Sequence, residues 1–296
     1  MMDGIINVNK PTGMTSHDVV YRLRRILGVK KIGHTGTLDP DASGVLPMCV
    51  GKATKLADYL TATDKQYRAE LSLGAFTDTQ DASGEVLERF DVNVTEKQLR
   101  DVLCEFVGEI EQIPPMYSAI KINGKKLYEL AREGKTAERA PRRITVHGIT
   151  LETFDAAQGK AVMTVECSKG TYIRTLCNDI GARLGCGGYM SALERTRSGR
   201  FSIEDAYTLE RIESMAADGD LGFMIKIGDA LAEYEKVILA EKNAYRMCNG
   251  IRIFVDGLEN DKIYRAFDEK GSLLAFIKRG KDGVEVVKAF YGGVQS

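Results

Sequence analysis

The sequence predicts a mixed α+β fold, built on a largely antiparallel sheet and followed by a smaller β-rich C-terminal part. Three observations lead there. Residues 67–73 alternate Tyr67, Ala69, Leu71 and Leu73 with Arg68, Glu70 and Ser72, the period-two pattern of a half-buried antiparallel strand. Several other stretches repeat their apolar residues with the period of an amphipathic helix. Strand-like and helical segments do not alternate regularly, as they would around a doubly wound parallel sheet.

The elements follow in order. Residues 15–28, TSHDVVYRLRRILG, put Val19, Val20, Leu23, Ile26 and Leu27 on one helical face, with Thr15 and Asp18 as a capping-box pair and Gly28 as the stop. Residues 161–167 are a further strand candidate. A second helix follows Thr95, with Gln98 completing its capping box, Leu99, Val102, Leu103 and Phe106 inward, and Gly108 at the end. A third begins near Thr171, buries Ile173, Leu176, Cys177, Ile180 and Leu184, and stops in the Gly185–Gly188 stretch. Residues 113–143 form a basic excursion with a short helical pattern between loop-like flanks. An acidic stretch ends near Glu235 and gives way to short strand-like runs, which divides the chain into residues 1–235 and 236–296.

With 296 residues, 44% of them apolar and 28% charged, the chain can bury a core and build more than one domain. No apolar run approaches the length of a membrane span and the N-terminus lacks signal-peptide character, so a cytoplasmic protein is expected. The six cysteines include no C-x-x-C pair and the three histidines do not cluster with them, which argues against a zinc site or a disulfide framework. A formal charge of −1 alone argues against nucleic-acid binding. Its distribution argues the other way. Basic residues gather at Arg22–Lys31, Lys121–Arg143 and Lys169–Arg200, and acids gather from Glu204 to Glu241, which suits one positive face and one acidic face; solvated surface helices would explain each run equally well.

The densest motif is GHTGTLDPDASGVLP, residues 33–47, whose glycines and Asp-Pro step force a tight loop that fixes a short acidic side chain, Asp39. Taken alone, an Asp-Pro is more often turn chemistry than catalysis. A glycine-rich loop also suggests phosphate binding, and GVLPMCVGKAT imitates a Walker A loop. It fails twice, because Leu46 stands where its first glycine belongs and Ala53 where a magnesium-binding hydroxyl belongs.

Five stretches, NVNKPTGMTS, GHTGTLDPDASGVLP, DKQYRAELSLGAFTDTQDASG, PPMYSAIKINGKKLYELAREG and CSKGTYIRTLCNDIGARLG, resemble in order the successive motifs of the TruB-type tRNA pseudouridine synthases. The resemblance covers roughly residues 4–200. It implies an enzyme that isomerises a uridine in the T loop of tRNA by base flipping, as a monomer without metal or other cofactor. It makes Asp39 the nucleophile, Tyr67 the aromatic platform under the uracil, and Arg174 the partner of the Asp39 carboxylate. It also puts Leu193 on the other face of the base, His34 where the target nucleotide leaves the loop, and Tyr172 and Lys10 near the active site. Residues 113–143 become an RNA-gripping insertion, and residues 236–296 correspond to a PUA-like RNA-binding module. An arginine beside Asp39 is expected to hold its carboxyl below the ordinary range.

Overall fold

The computed structural model describes residues 2–291 apart from residues 119 and 123. Among the described residues the main sheet has ten strands. Its principal path runs Met224–Ile225, Gly4–Lys10, Ser43–Val50, Gly188–Ser198, Lys65–Leu73, Lys160–Cys167, Arg142–Asp155 and Gly108–Gln112. Ile32–His34 pairs with Ser43–Val50, and Phe201–Ser202 with Gly188–Ser198. The junctions along this path are antiparallel with one exception: Ser43 and Gly44 lie parallel to, and opposite, Glu194 and Arg195. The sheet is thus mixed and largely antiparallel, as the sequence predicts. A parallel pair needs a long crossover rather than a hairpin. The strands meet closely because residue 44 is glycine: its φ is +102°, and a Cβ there would sit 2.3 Å from the Arg195 carbonyl oxygen.

Local sequence accounts for the helices on the sheet. At the start of the Ser16–Leu27 helix, the Thr15 hydroxyl accepts from the Asp18 N–H at 3.1 Å and the Asp18 carboxylate accepts from the Thr15 N–H at 2.8 Å. A cap of this kind contributes about 1 kcal/mol. The helix buries Val19, Val20 and Leu23 against Ile6, Leu46 and Met48. Thr95 and Gln98 cap the Glu96–Glu105 helix in the same way. That helix ends sooner than the sequence suggests: Phe106 is its C-cap, and Gly108 opens the next strand. The Ile173–Leu184 helix packs Ile173, Leu176, Cys177 and Ile180 on Leu71, Met163 and Val165, and closes on Gly185.

Three members of the basic runs are not on a free positive face. Arg22 pairs with Glu210 at 2.9 Å and Glu213 at 3.1 Å, because the Leu209–Ala217 helix packs its Leu209 and Ile212 into the same core as the Ser16–Leu27 helix. Two acids of the acidic stretch therefore pair with Arg22 of the first basic run. Arg174 and Arg195, from the third run, are buried.

Between Gln112 and Arg142 the chain leaves the sheet, pairs Lys121–Ile122 with Lys125–Lys126, and forms the short Leu127–Arg132 helix. A second, four-stranded sheet follows, ordered Glu235–Ile238, Ile263–Phe267, Leu273–Gly280 and Gly283–Ala289. Leu239, Met247, Ile253, Tyr264 and Ile277 form its own core. Phe276 and Phe290 pack instead with Ile5, Val45, Leu56 and Leu60, so this sheet is docked on the main one. Among the described residues no helix is long and apolar enough to cross a membrane.

Candidate active site

Asp39 lies on the loop that leads from Ile32–His34 into Ser43–Val50, just before the parallel junction. Short sequence neighbours hold this loop at several points. The Leu38 N–H donates to the Ser16 hydroxyl at 2.9 Å, the Gly13 N–H donates to the Pro40 carbonyl at 2.9 Å, and the Ala42 N–H donates to the Asp39 carbonyl at 3.1 Å. Lys10 adds a charged clamp. Its ammonium donates to the carbonyls of Pro11, Met14 and Pro40 at 2.8, 2.7 and 3.1 Å.

Those three bonds use all three ammonium protons, and Lys10 has no accessible surface. Lys10, expected near the active site, fastens the KPTG turn to the Asp39 loop, and burial lowers its pKa to about 8 against the opposing pull of Asp39.

Arg174 meets Asp39 across the site, with its Nε 3.2 Å from Oδ2. The remaining fork is also occupied: Nη1 lies 3.2 Å from Asp81 Oδ2, and Nη2 donates to the Tyr117 carbonyl at 2.8 Å. One guanidinium thus joins two carboxylates and the base of the insertion. The Arg174 side chain is 7% accessible and that of Asp39 is 42%, so the cation is hidden while the acid can be reached.

Asp81 is itself held by the Ser83 N–H and hydroxyl, at 3.0 and 2.6 Å, and by the Thr79 hydroxyl at 2.7 Å. Gln80, between Thr79 and Asp81, has φ of +65° and accepts from the Thr175 hydroxyl at 2.7 Å. A non-glycine residue in this region costs of order 1 kcal/mol or more. The turn it makes delivers Asp81 to Arg174.

The electrostatic expectation for Asp39 is corrected. Burial raises its pKa and is the largest influence; Arg174 lowers it, while Asp81 and Asp41 raise it. The result lies above the ordinary aspartate value, because loss of hydration outweighs the one close guanidinium. A reaction that needs the carboxylate should therefore lose rate, as pH falls, above the ordinary aspartate range near 3.9. Asp81→Asn removes a repelling charge from Asp39 and frees Arg174 to attend to it, so the acid limb of the pH–rate profile should move to lower pH. An unmoved limb in a folded Asp81→Asn protein would refute this account.

Tyr67 and Leu193 lie on adjacent strands: Leu193 pairs with Ala69 and Arg195 with Tyr67. Both Tyr67 and Leu193 touch the two main-sheet cores at their boundary. The Tyr67 phenol is pushed up in pKa by burial; Arg195 opposes that rise, and the Asp39 charge adds to it. Arg174 thus meets Asp39 directly, and Tyr67 feels the same carboxylate.

His34 stands at the loop entrance, its ring 5.4 Å from that of His17, edge to face. Burial lowers its pKa first, followed by His17 and Arg195, which favours the neutral ring at pH 7. The Gly36 N–H donates to its Nδ1 at 3.4 Å, so the neutral ring carries its proton on Nε2. Tyr172 is the N-cap of the Arg174 helix. Gln112 fixes its backbone on both sides, accepting from the Tyr172 N–H at 2.8 Å and donating to its carbonyl at 3.0 Å.

Sequence reasoning missed Asp81, Gln112 and the individual importance of Arg195. Asp81 lay within a quoted motif, yet nothing local marks it as a partner of a residue 93 positions away. Gln112 closes a strand, and Arg195 was counted only as part of a basic run.

Comparisons with known proteins place the chain among its relatives. Residues 24–173 match the N-terminal domain model of the TruB family of pseudouridylate synthases, and residues 174–234 match the model of the tRNA pseudouridylate synthase B C-terminal domain. A Bacillus cytotoxicus protein named tRNA pseudouridine synthase B is 47% identical over 281 residues, 93% of this chain and 92% of that protein. Its namesake from Clostridium kluyveri is 46% identical over 294 residues, 98% of this chain and all of that protein. Among solved structures, a chain of an H/ACA ribonucleoprotein bound to a substrate RNA containing 2′-deoxyuridine superposes with a TM-score of 0.75 at 27% identity, covering 98% of this chain and 86% of its own. A chain of a Cbf5–Nop10–Gar1 complex does so with a TM-score of 0.75 at 29% identity, covering 97% and 85%. The five ordered motifs, the mixed sheet and the family matches lead to one conclusion: this chain belongs to the TruB family of pseudouridylate synthases.

Proposed function

We propose that this chain converts one uridine in the T loop of tRNA to pseudouridine, flipping the base into the pocket around Asp39 and using Asp39 as nucleophile. The observation that carries the reading is a reachable carboxylate, Asp39, held by a hidden arginine, Arg174. In the net reaction the C1′–N1 bond is replaced by a C1′–C5 bond, the C5 proton leaves and N1 gains one. No redox partner or group donor enters the balance, and the reading calls for no cofactor.

The detached uracil must stay in place while it turns. Tyr67 stacks on one face, an interaction of roughly 1 to 3 kcal/mol, and Leu193 covers the other. His34, as a neutral imidazole, fills the gap left by the flipped nucleotide. Arg174 keeps Asp39 charged enough to react, and Tyr172 opens the helix that carries it. The insertion at 113–143 grips the stem, and residues 236–296 act as a PUA-like unit that adds phosphate contacts to a catalytic domain of residues 1–235. The names of the relatives support tRNA as the substrate. A cytoplasmic monomer is the form this reading takes.

The test is release of tritium from C5-labelled uridine in an unmodified T-arm stem-loop and in whole tRNA, with no metal or nucleotide beyond what folds the RNA. One tritium per uridine modified, at the T-loop position, is the expected result. Tight binding of either RNA without release would leave an RNA-binding protein and remove the catalytic reading.

A further inference from the structure

Arg195 is among the largest fully buried side chains of the chain, 2% exposed, and it makes no ion pair among the described residues. A buried charge without a counter-ion costs several kcal/mol unless other groups satisfy it. What satisfies it here belongs to the catalytic apparatus. Its Nε donates to the Val45 carbonyl at 2.7 Å, and its Nη2 lies 3.4 Å from the Gly36 carbonyl. Val45 follows the Asp39 loop and Gly36 begins it, so one planar group spans both ends of that loop.

Tyr67 is the cross-strand partner of Arg195, and the Arg195 charge acts on its phenol. Two glycines make room for the arrangement. Gly44 lets the Arg195 backbone approach, and Gly36, at φ +136°, has the Arg195 Nη1 as its nearest neighbour on the side where a Cβ would stand. Lys10, Lys65 and His34 also feel the Arg195 charge. Among the groups facing this region, Asp39 carries the opposing charge that reaches both Lys10 and Tyr67.

We propose that Arg195 is a positioning residue for the isomerisation, fixing the two ends of the Asp39 loop through the Gly36 and Val45 carbonyls and holding the Tyr67 phenol against the same point. This rests on the reading of the site given above. Arg195 acts through Tyr67 and the loop and does not touch the uracil. Its positive charge favours the phenolate form of Tyr67 over what burial alone would allow.

Arg195→Gln and Arg195→Lys test this on the full-length protein. With a T-arm stem-loop, Arg195→Gln should lower kcat by about 10²-fold, the scale for removing one preorganised donor, and change KM by less than about threefold. The second measurement is an ultraviolet phenol titration, read as the difference between each protein and its Tyr67→Phe counterpart. Tyr67 should titrate at higher pH in Arg195→Gln than in the wild type, and in Arg195→Lys, which keeps the charge, it should move back toward the wild-type position while kcat stays low. Should Arg195→Gln fail to fold, Arg195→Lys decides the matter. Wild-type kcat in a folded variant, or an unmoved Tyr67 titration in Arg195→Gln, overturns the proposal. A wild-type protein that releases no tritium at all overturns the functional reading instead, and the phenol titration still reports on Arg195.

Discussion

Asp39→Asn lowers turnover by roughly 10³- to 10⁴-fold, the scale seen when a covalent catalytic group is removed elsewhere, and leaves stem-loop affinity within about twofold. The substitution keeps the shape of the side chain and the fastenings of its loop, which run through Lys10, Ser16 and Gly13 rather than through the carboxylate. Stability should move in the opposite direction to activity. The folded protein raises the pKa of Asp39, so it binds that proton more tightly than the unfolded chain does. Ionised Asp39 therefore weakens the fold at neutral pH, its contribution being most favourable below the unfolded pKa and lost as pH rises through the folded one. Asp39→Asn removes that cost, and its thermal midpoint at pH 7 should match or exceed the wild type. Turnover above a tenth of wild type, or a marked fall in the midpoint, would contradict the assignment. Single-turnover tritium release, filter binding and calorimetry supply the three readings.

Arg174→Met has the second largest expected effect and changes both quantities in the same direction. It leaves Asp81, whose side chain is 17% accessible, without its arginine, and leaves the Tyr117 carbonyl without its donor. Breaking one side of a buried pair costs about 3 to 5 kcal/mol. Turnover should fall by about 10³-fold, and the acid limb should move to higher pH, because the guanidinium that lowers the Asp39 pKa is gone. Arg174→Lys restores a charge but not a fork. A single ammonium on a flexible stem does not span Asp39, Asp81 and the Tyr117 carbonyl together. It should regain part of the stability and little of the rate. Urea denaturation and the pH–rate profile check both variants; wild-type kcat and limb in Arg174→Lys would show that charge alone suffices and that the fork does nothing.

What could be read from the sequence depended on range. The Thr15–Asp18 and Thr95–Gln98 capping boxes, the period-two strand from Tyr67 to Leu73 and the helix that presents Arg174 rest on residues a few positions apart, and the structure contains each of them. Gly108 was misread because a glycine after an apolar helical run can either cap the helix or open a strand, and the choice is made by pairing with Val146 in a distant strand. The charge map needs correction at three residues for a similar reason. Arg22, Arg174 and Arg195 look alike as letters, and only packing sends the first to a glutamate pair and the other two into the interior. The Asp39 pKa departs from expectation because the burial that the arginine was expected to overcome outweighs it. Asp81 and Gln112 were invisible, since each acts on a residue 60 or more positions later.

The parallel junction between Ser43–Val50 and Gly188–Ser198 also bears on when the site is expected to form. Arg195 grasps the Val45 carbonyl across 150 positions of chain, and Arg174 must cross a similar span to reach Asp39. Contacts this distant in sequence form late, because the entropy of closing so large a loop is lost before the contact can repay it. A growing chain that has not yet delivered the Gly188–Ser198 strand lacks the strand that lies between Ser43–Val50 and Lys65–Leu73. Activity in nascent chains is therefore expected only once that strand has emerged and taken its place between two strands made long before it.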